Sequence, residues 1–474
     1  MVCNHVAKTL SCLVLAAGSG IYACGSDPVA NKEIRHSMNM QDLLQEYIED
    51  SGAVGASVAI IDNGKVSFHT YGKKSLNEND LISENTIFEI GSITKVFTSL
   101  LLVDMAAKGK VQLDDPIEMY LPGVKIPELN GKKITLRHLA THTSGLPRMP
   151  DNFAPQDPSN PYKDYTIERL YEYLGSCTLS KTPGESLEYS NIGMGLLGFV
   201  LSIQSEKRYE EMIQDAIAST LNMPSTSIVI SDEIVSHFAT GHHLAQTVSY
   251  WDIPVLAGAG ALRSNIKDMA NFLIANMDES NPIHALFRQC HEQQYSPMSG
   301  FAVGLGWMLS TSNQADLIWH NGGTGGFRSY IGFNPKQKLG IVILSNSTED
   351  WPDEFGLLVL DPDYKRPDID KSLANDPEYL NQFIGSYTAT IPGALCEQEL
   401  TISVFGKLLV CALSGGEVGM LYPESRGVFG VKGFPDRKVV FSLDKAGLIG
   451  KAEARLVSNG VILWEAVAKA KESL

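Results

Sequence analysis

The chain has 474 residues, of which 44% are hydrophobic and 19% are charged, and its formal net charge at pH 7 is −16. This length exceeds what one compact core usually holds, so we expect two or three domains. The negative charge argues against nucleic acid as a partner, because phosphate binding needs clustered Lys and Arg side chains.

The first 24 residues have the pattern of an export signal. Lys8 precedes an apolar run over residues 10–17, and small side chains follow towards residue 23. Residues 21–24, with the sequence IYAC, resemble a bacterial lipobox, in which Cys24 would become the acylated first residue. We therefore expect an exported protein that is either periplasmic or anchored to the membrane through a lipid on Cys24.

A strand hairpin is predicted near the start of the first domain. After a helical pattern over residues 40–49, apolar strands are predicted over residues 55–61 and 66–71. The intervening Asp62-Asn63-Gly64 is a strong signal for a tight hairpin turn. We therefore expect an antiparallel strand pair at this point.

The stretch from residue 86 to residue 102 predicts a nucleophile with its base. β-branched and aromatic residues indicate a short strand, and apolar residues at helical spacing after Gly91 indicate a helix. Ser92 lies where the helix begins, and Lys95 lies on the same side, with about 5–6 Å between the two Cβ atoms. A lysine whose pKa is lowered by burial can accept the serine proton, and the positive end of the helix favours developing negative charge.

Further residues suited to substrate binding and proton transfer occur downstream. Tyr189 and Asn191 are two apart on an extended stretch, so a phenol and an amide face the same way. A later predicted strand carries His320, Gly322 and Gly323, and its glycines let a ligand approach the backbone closely. The phenol is a candidate proton carrier and the amide a candidate hydrogen-bonding partner of the substrate.

Two histidine pairs raise the alternative of a metal-dependent hydrolase. His138 and His142 have the i, i+4 spacing of metal ligands on a helix, and His242 and His243 are adjacent. No nearby Glu or Asp completes a ligand pattern, so structural or helix-capping roles are favoured, and we expect no metal and no cofactor. A second alternative is a non-catalytic binding lipoprotein of the cell envelope.

The later strands predict one antiparallel sheet followed by a separate all-β domain. Strands over residues 318–326, 328–333 and 340–345, together with the first hairpin, indicate a sheet built from both ends of one domain, with helices packed on it. Residues 351–378 are predicted to be a linker, because residues 361–378 are rich in Asp, Pro and Lys. Five further strand patterns predict a small sandwich or barrel: residues 399–404, 407–413, 427–431, 438–443 and 461–467.

Three motifs in this order resemble the serine β-lactamase and penicillin-binding protein superfamily, closest to its class C β-lactamase branch. They are Ser92-Ile93-Thr94-Lys95, Tyr189-Ser190-Asn191 and His320-Asn321-Gly322. The ordered set is far more specific than one motif, since the serine–lysine spacing alone recurs at Ser264/Lys267 and Ser442/Lys445. The resemblance implies an α/β (α+β) fold over residues 38–350, with an antiparallel sheet flanked by helices and an inserted helical region. It also implies a lipocalin-like domain over residues 379–474.

The resemblance implies roles for individual residues. Ser92 would be the acylated nucleophile, Lys95 its base, and Tyr189 a proton carrier for the leaving group and the deacylating water. Asn191 would hold the substrate amide. The backbone N–H groups of Ser92 and Gly323 would form the oxyanion hole, in which one donor is worth about 3–4 kcal/mol in other enzymes.

Two departures from the family pattern leave the substrate open. His320 stands where the family has the lysine of Lys-Thr-Gly, and we expect an imidazole that titrates near neutrality to bind a substrate carboxylate there. Arg148 follows Leu146-Pro147, whereas class C β-lactamases have a substrate-binding glutamine shortly after this dipeptide. We therefore predict a serine hydrolase that acts through an acyl-enzyme on amide, peptide, ester or β-lactam substrates, among them peptidoglycan-derived peptides. Esterase or D-aminopeptidase activity is the alternative to β-lactamase activity.

Overall fold

The computed structural model describes residues 39–468, except 232–233, 244–245, 312–314, 363, 365–368, 391–397, 406, 414–415, 432–433, 444–448 and 459–460. The predicted signal peptide and Cys24 lie outside the described residues. The described residues divide into two compact units, of which the first ends at Tyr364. None of the helices in these ranges is long and apolar enough to cross a membrane.

The first unit begins with a helix and the predicted hairpin. Helix α1 spans Met40–Ser51, strand β1 spans Gly55–Asp62, and strand β2 spans Lys65–Gly72. The two turn residues Asn63 and Gly64 both have positive φ angles, of 48° and 79°. This backbone geometry matches the right-handed twist of the two strands, which explains why Asn-Gly is so common in two-residue hairpin loops.

A largely helical region follows the hairpin. Its longer elements are strand β3 (Ile87–Glu89) and helices α2 (Thr94–Ala107), α3 (Leu136–Ala140), α4 (Ile167–Ser176), α5 (Asn191–Ser205), α6 (Tyr209–Ile213), α7 (Ile266–Met277) and α8 (His284–His291). Short strands β4 (Glu128–Leu129) and β5 (Lys132–Lys133) pair with each other, as do β6 (Gly241–His243) and β7 (Gln246–Val248), while β8 (Arg263–Asn265) pairs with β3. Short 3₁₀ helices span Gly91–Ile93, Ile117–Tyr120, Val235–His237 and Ala257–Ala259, and a π-helical turn spans Gln214–Ala218.

Eight antiparallel strands form the main sheet of this unit. The remaining six are β9 (Tyr295–Met298), β10 (Phe301–Val303), β11 (Met308–Thr311), β12 (Asp316–Gly323), β13 (Arg328–Asn334) and β14 (Leu339–Ser345). Their order in the sheet is β2-β1-β14-β13-β12-β11-β10-β9. The first hairpin therefore pairs with the last strand, with Ala56 opposite Ser345, which confirms the expectation of one sheet built from both ends of the domain.

Both faces of the sheet are covered, because successive side chains of its central strands point to opposite sides. On one face the sheet packs against the large helical core, where the rings of Phe97 and Phe272 stack at 4.1 Å. On the other face it packs against α1 and against helix α9, which spans Trp351–Leu360. The unit is therefore a sheet between helical layers, as the resemblance implied.

Helix α9 lies inside the stretch that we predicted to be a linker, residues 351–378. Trp351 is 2% exposed and Phe355 is fully buried, and both rings contact Tyr47 of α1. The helix is thus part of the core of the first unit, because its apolar side chains cover one face of the sheet. Helix α10 (Lys371–Ala374), in the predicted linker, and helix α11 (Pro377–Asn381), which crosses its end, belong to the core of the second unit.

The second unit is a closed antiparallel barrel. Its strands are β15 (Gly385–Thr390), β16 (Gln398–Phe405), β17 (Leu408–Leu413), β18 (Gly416–Ser425), β19 (Val428–Val431), β20 (Phe434–Leu443), β21 (Ile449–Ser458) and β22 (Val461–Ala468). Each strand pairs with the next along the chain, and β22 pairs with β15 to close the barrel. Its described core includes Phe383, which lies 4.8 Å from Phe429 and 4.6 Å from Phe441 between ring centroids. The all-β prediction is confirmed, and the lipocalin-like identity stays a prediction.

Candidate active site

The turn between β3 and α2 holds Ser92 against the amine of Lys95. The chain leaves β3 through Gly91, whose φ of 51° permits a sharp entry into the 3₁₀ turn that contains Ser92. Lys95 is fully buried in the first turn of α2. Its Nζ donates to Ser92 Oγ at 2.9 Å and to the carbonyl oxygen of Ala259 at 2.6 Å. The helix-start arrangement predicted from the sequence is therefore present, with the two reactive atoms in hydrogen-bonding contact.

Burial prepares Lys95 to act as a base. Removal of the amine from water, and secondarily the positive charge of Arg148, hold the pKa of Lys95 well below its ordinary value. A neutral amine has a lone pair, so the same 2.9 Å contact can carry the proton from Ser92 Oγ to Nζ. The lowered pKa therefore favours the neutral amine, which is the form that can accept a proton.

Tyr189 adjoins both of these groups. The Lys95 Nζ lies 4.9 Å from the centroid of the Tyr189 ring, and Ser92 is near enough to the phenol to affect its pKa. Burial raises the pKa of Tyr189 to about 12, against the opposing effects of Ser92 and of the charge of Arg148. The phenol is therefore protonated at neutral pH and can donate a proton, whereas the buried amine can accept one.

The first turn of α5 presents Asn191 to the same site. Ser190 caps this helix: its Oγ accepts from the N–H of Gly193 at 2.9 Å and donates to the carbonyl of Pro147 at 2.7 Å. The N–H of Asn191 donates to the carbonyl of Arg148 at 2.9 Å. Among the described residues the Asn191 Oδ1 is buried without a hydrogen-bond partner, so an acceptor is available for a substrate N–H.

Gly91 and Gly323 bring the end of strand β12 against the serine turn. A Cβ atom added to Gly91 would lie 2.7 Å from the backbone nitrogen of Gly323, so the two backbone segments are in direct contact. The Ser329 Oγ on the neighbouring strand donates to the carbonyl of Ile90 at 2.8 Å and ties the turn to the sheet. Gly322 and Gly323 therefore line the serine, which is where an oxyanion hole would need its second N–H donor.

The structure corrects the expected behaviour of His320. The ring is completely buried, and its Nδ1 lies 2.5 Å from the carbonyl oxygen of Asn321, which makes Nδ1 the donor. Burial, and secondarily the charge of Lys95, lower the pKa of His320 to about 3. The prediction of an imidazole that titrates near neutrality is therefore wrong, because the sequence could not show how deeply the side chain is buried.

His142, which the sequence offered only as a metal ligand or a structural histidine, lies beside Tyr189 in the site. It has a positive φ of 57°, its Nδ1 accepts from the N–H of Ser190 at 3.1 Å, and its ring lies 4.4 Å from that of Tyr189. Burial, with the charge of Lys95 second, holds the pKa of His142 well below its ordinary value. A neutral His142 therefore orients the segment that carries the tyrosine, a role that only the folded backbone reveals.

The histidines proposed as alternative metal ligands have hydrogen-bonding roles instead. His138 Nδ1 accepts from the N–H of Thr135 at 3.2 Å, and His242 Nε2 accepts from the N–H of Leu76 at 3.2 Å. No group of three or more His, Cys, Asp or Glu side chains suited to a metal occurs in the described part of the chain. The described residues thus give no support to a metallohydrolase.

The comparisons with known proteins agree with this geometry. Residues 40–360 match the family model described as Beta-lactamase. The D-alanyl-D-alanine-carboxypeptidase/endopeptidase AmpH of Escherichia coli (strain K12) is 28% identical over 353 residues, which cover 70% of this chain and 89% of that protein. Protein flp of Staphylococcus aureus (strain MRSA252) is 28% identical over 330 residues, or 66% of this chain and 64% of that protein.

A solved structure is similar over the same part of the chain. The crystal structure of a β-lactamase/D-alanine carboxypeptidase from Yersinia pestis, complexed with citrate, aligns with a TM-score of 0.61 and 26% sequence identity. It covers 71% of this chain and 99% of that one. Because the family model matches well over half of the chain, this protein belongs to the beta-lactamase family and is a serine hydrolase.

Proposed function

We propose that this protein is an exported serine peptidase that cleaves D-alanyl-D-alanine-type peptides derived from peptidoglycan. The observation that carries the chemistry is the 2.9 Å contact between Ser92 Oγ and the buried amine of Lys95. The peptide substrate is favoured by the relatives, since AmpH is named a D-alanyl-D-alanine-carboxypeptidase/endopeptidase and the Yersinia pestis protein a β-lactamase/D-alanine carboxypeptidase.

Acylation begins with transfer of the serine proton to Lys95. As Ser92 Oγ attacks the scissile carbonyl carbon, a C–O bond forms and the carbonyl oxygen becomes an oxyanion held by the N–H groups of Ser92 and Gly323. The C–N bond then breaks, and the amine leaves with a proton donated by Tyr189, which Lys95 replaces. The enzyme is left acylated on Ser92.

Deacylation uses the same groups in the reverse sense. A water molecule attacks the ester carbonyl while its proton passes to the Tyr189–Lys95 pair, and Ser92 Oγ leaves with a proton from that pair. Asn191 holds the acyl portion in place through its buried amide, whose unpartnered oxygen accepts a substrate N–H. No metal enters either step.

The central test is covalent labelling of Ser92. Incubation with a fluorophosphonate or a fluorescent penicillin, followed by intact-mass spectrometry, should show one added acyl or phosphonyl group in the unmodified protein and none in Ser92→Ala. Ser264→Ala is the matched control, because Ser264 has the same spacing to a lysine but its Oγ lies in a buried hydrogen bond to Thr226. Labelling that persists in Ser92→Ala would contradict the proposed nucleophile.

Cell-envelope attachment through Cys24 is the second part of the proposal. Its support is the lipobox-like IYAC sequence, and it predicts that metabolic labelling with a palmitate analogue tags the mature protein on Cys24. The matched variant Cys24→Ser should lose the tag. An unmodified mature N-terminus at another residue would indicate plain secretion instead.

A further inference from the structure

Arg148 carries an exposed guanidinium group beside the catalytic tyrosine. Its Cζ lies 5.3 Å from the centroid of the Tyr189 ring. Its backbone carbonyl accepts from the N–H groups of Asn191 at 2.9 Å and Ile192 at 3.3 Å. The main chain of Arg148 is therefore fixed to the first turn of α5, while its side chain is exposed to solvent next to the reacting groups.

The charge of Arg148 acts on the site and, among the described residues, has no acidic partner in an ion pair. It contributes to the lowered pKa of Lys95 and opposes the raised pKa of Tyr189, so it is felt at both proton-transfer groups. Within the described ranges no carboxylate forms an ion pair with it. A guanidinium group offers five N–H donors in a planar fork that fits a carboxylate, and here that fork is available to a ligand.

Other cations near the serine are not available in this way. His320, which occupies the place of the family's lysine, is buried and neutral. Arg328 approaches Gly323, but its Nε already contacts the carboxylate of Asp350 at 2.9 Å and donates to the carbonyl of Thr348 at 3.0 Å. Lys95 is enclosed and serves as the base. In the part of the chain that the structure describes, Arg148 is therefore an exposed cation at this site that forms no ion pair.

We propose that Arg148 binds a carboxylate of the substrate and so selects anionic peptides over their neutral analogues. The inference rests on the proposed function, since it concerns the substrate that acylates Ser92. The carboxylate can belong to the acyl portion, on the side of Asn191, or to the leaving group. Both sources present the same chemistry to the guanidinium fork, and matched substrates tell them apart.

The test compares two pairs of synthetic substrates. One pair is a peptide ending in D-Ala-D-Ala and its C-terminal amide, and the other is an N-succinyl and an N-acetyl derivative of one peptide ester. For each pair the ratio of kcat/KM, anionic over neutral, is measured above the acid limb of the pH profile and at two salt concentrations. If the ratio of the D-Ala-D-Ala pair depends on Arg148, the bound carboxylate belongs to the leaving group. If the ratio of the succinyl pair depends on Arg148, the carboxylate belongs to the acyl portion.

Arg148→Gln should lower this ratio about tenfold or more for at least one pair, the size expected for loss of a charge-assisted hydrogen bond. The loss should be smaller in Arg148→Lys, which keeps the charge but not the fork, and smaller at high salt. Arg288→Gln removes one charge from an exposed position on α8 and serves as the control, with an unchanged ratio.

The proposal is overturned if Arg148→Gln leaves both ratios unchanged, or if it slows anionic and neutral substrates equally. Equal slowing would mean that Arg148 acts only on the proton-transfer groups. Fluorophosphonate labelling of Ser92 in every variant keeps this failure separate from failure of the proposed function. If the variants are labelled but the anionic-to-neutral ratios of kcat/KM are unchanged, only the role of Arg148 is rejected. If the wild-type protein is never labelled, the hydrolase mechanism itself is rejected.

Discussion

Burial shifts the pKa values of two ionisable side chains of the site in opposite directions, away from each other. Burial lowers the pKa of Lys95 and raises that of Tyr189 to about 12, so the amine tends to be neutral and the phenol stays protonated. These shifts favour the protonation states that the proposed roles of Lys95 as base and Tyr189 as acid require. The arrangement has a cost in stability, because the unfolded chain can protonate the lysine freely.

This cost in stability should depend on pH, and Lys95→Met tests it, because methionine keeps the side-chain length but cannot be protonated. The folded-state pKa of Lys95 lies below the unfolded value, so between the two the unfolded state binds the extra proton and stability rises with pH. Between these two pKa values, the unfolding free energy of the wild type should therefore rise relative to that of Lys95→Met by about 1.4 kcal/mol per pH unit. Urea titrations at several pH values up to about 10 measure it.

The same variant should lose at least about a thousandfold in kcat/KM, because the serine loses its proton acceptor. Lys267→Met is the matched control, since Lys267 is exposed and hydrogen-bonds only to Asn85 within the described residues. A pH-independent stability difference for Lys95→Met would show that Lys95 is not desolvated in the way described.

The proposed catalytic residues were predictable where sequence spacing alone decides which side chains lie close together. Ser92 and Lys95 are neighbours on one helical turn, and Tyr189 follows from the ordered motifs. The neutrality of His320 and the packing of His142 against Tyr189 were not predictable, because both depend on burial by segments distant in sequence. Arg148 was noticed only as a missing glutamine, since sequence gives no direction for an exposed side chain.

At the scale of elements, the decisive contact is between the serine turn and the end of β12. Gly91 adopts a φ of 51° and its Cα faces the backbone of Gly323, with no room for a Cβ atom between them. The contact sets the distance between the N–H groups of Ser92 and Gly323. A shift of either element would misplace one donor relative to the developing oxyanion.

Gly91→Ala should therefore slow acylation of Ser92 by about 10²–10³, the effect of losing one oxyanion donor, while the protein stays folded. Gly109→Ala is the matched control: Gly109 also has a positive φ, of 68°, but a Cβ atom there would meet nothing within 4 Å. Both variants carry similar backbone strain, of about 1 kcal/mol. Stopped-flow acylation by a chromogenic ester distinguishes them, and equal rates would refute the packing argument.

Elements with a strong local signal were predicted well, whereas others needed the fold. The Asp-Asn-Gly hairpin and the strand–turn–helix around Ser92 were predicted because turn chemistry and apolar periodicity suffice. Strand β12 was predicted to reach residue 326 but ends at Gly323, where Thr324 turns the chain by donating its N–H to the carbonyl of Phe327. Helix α9 was missed because its apolar face stands among Asp and Pro residues that, by composition, indicate a linker.

For the whole molecule, helix α9 fixes where the hydrolase unit ends. A protein truncated after residue 364 should fold and label at Ser92, because every residue of the candidate site lies before that point. Truncation after residue 350 removes α9 and exposes the sheet face that it covers. Burial of Trp351, Phe355, Val359 and Leu360 stabilises the fold by roughly 1.5–3 kcal/mol each, which together approaches the usual net stability of about 5–15 kcal/mol.

The shorter protein should accordingly be insoluble or unfolded by circular dichroism, and the longer one cooperative in thermal unfolding. The two truncated proteins begin at the same residue and differ by the fourteen residues 351–364. Their soluble expression levels can therefore be compared directly, together with labelling of Ser92. Equal folding of both would show that the predicted boundary at residue 350 is adequate after all.

The pairing of β1 with β14 also dictates when the hydrolase can become active. Apart from the closing pair of β15 with β22, the barrel strands pair with their immediate successors along the chain. In the hydrolase unit, by contrast, Ala56 must pair with Ser345, and the serine turn must pack against the glycines after residue 321. Contacts this distant in sequence form slowly, since a long loop must close before they stabilise anything. A chain crossing a membrane from its N-terminus would thus arrive with an open sheet and an incomplete oxyanion hole. Ser92 would therefore lack its second oxyanion donor until most of the protein has emerged.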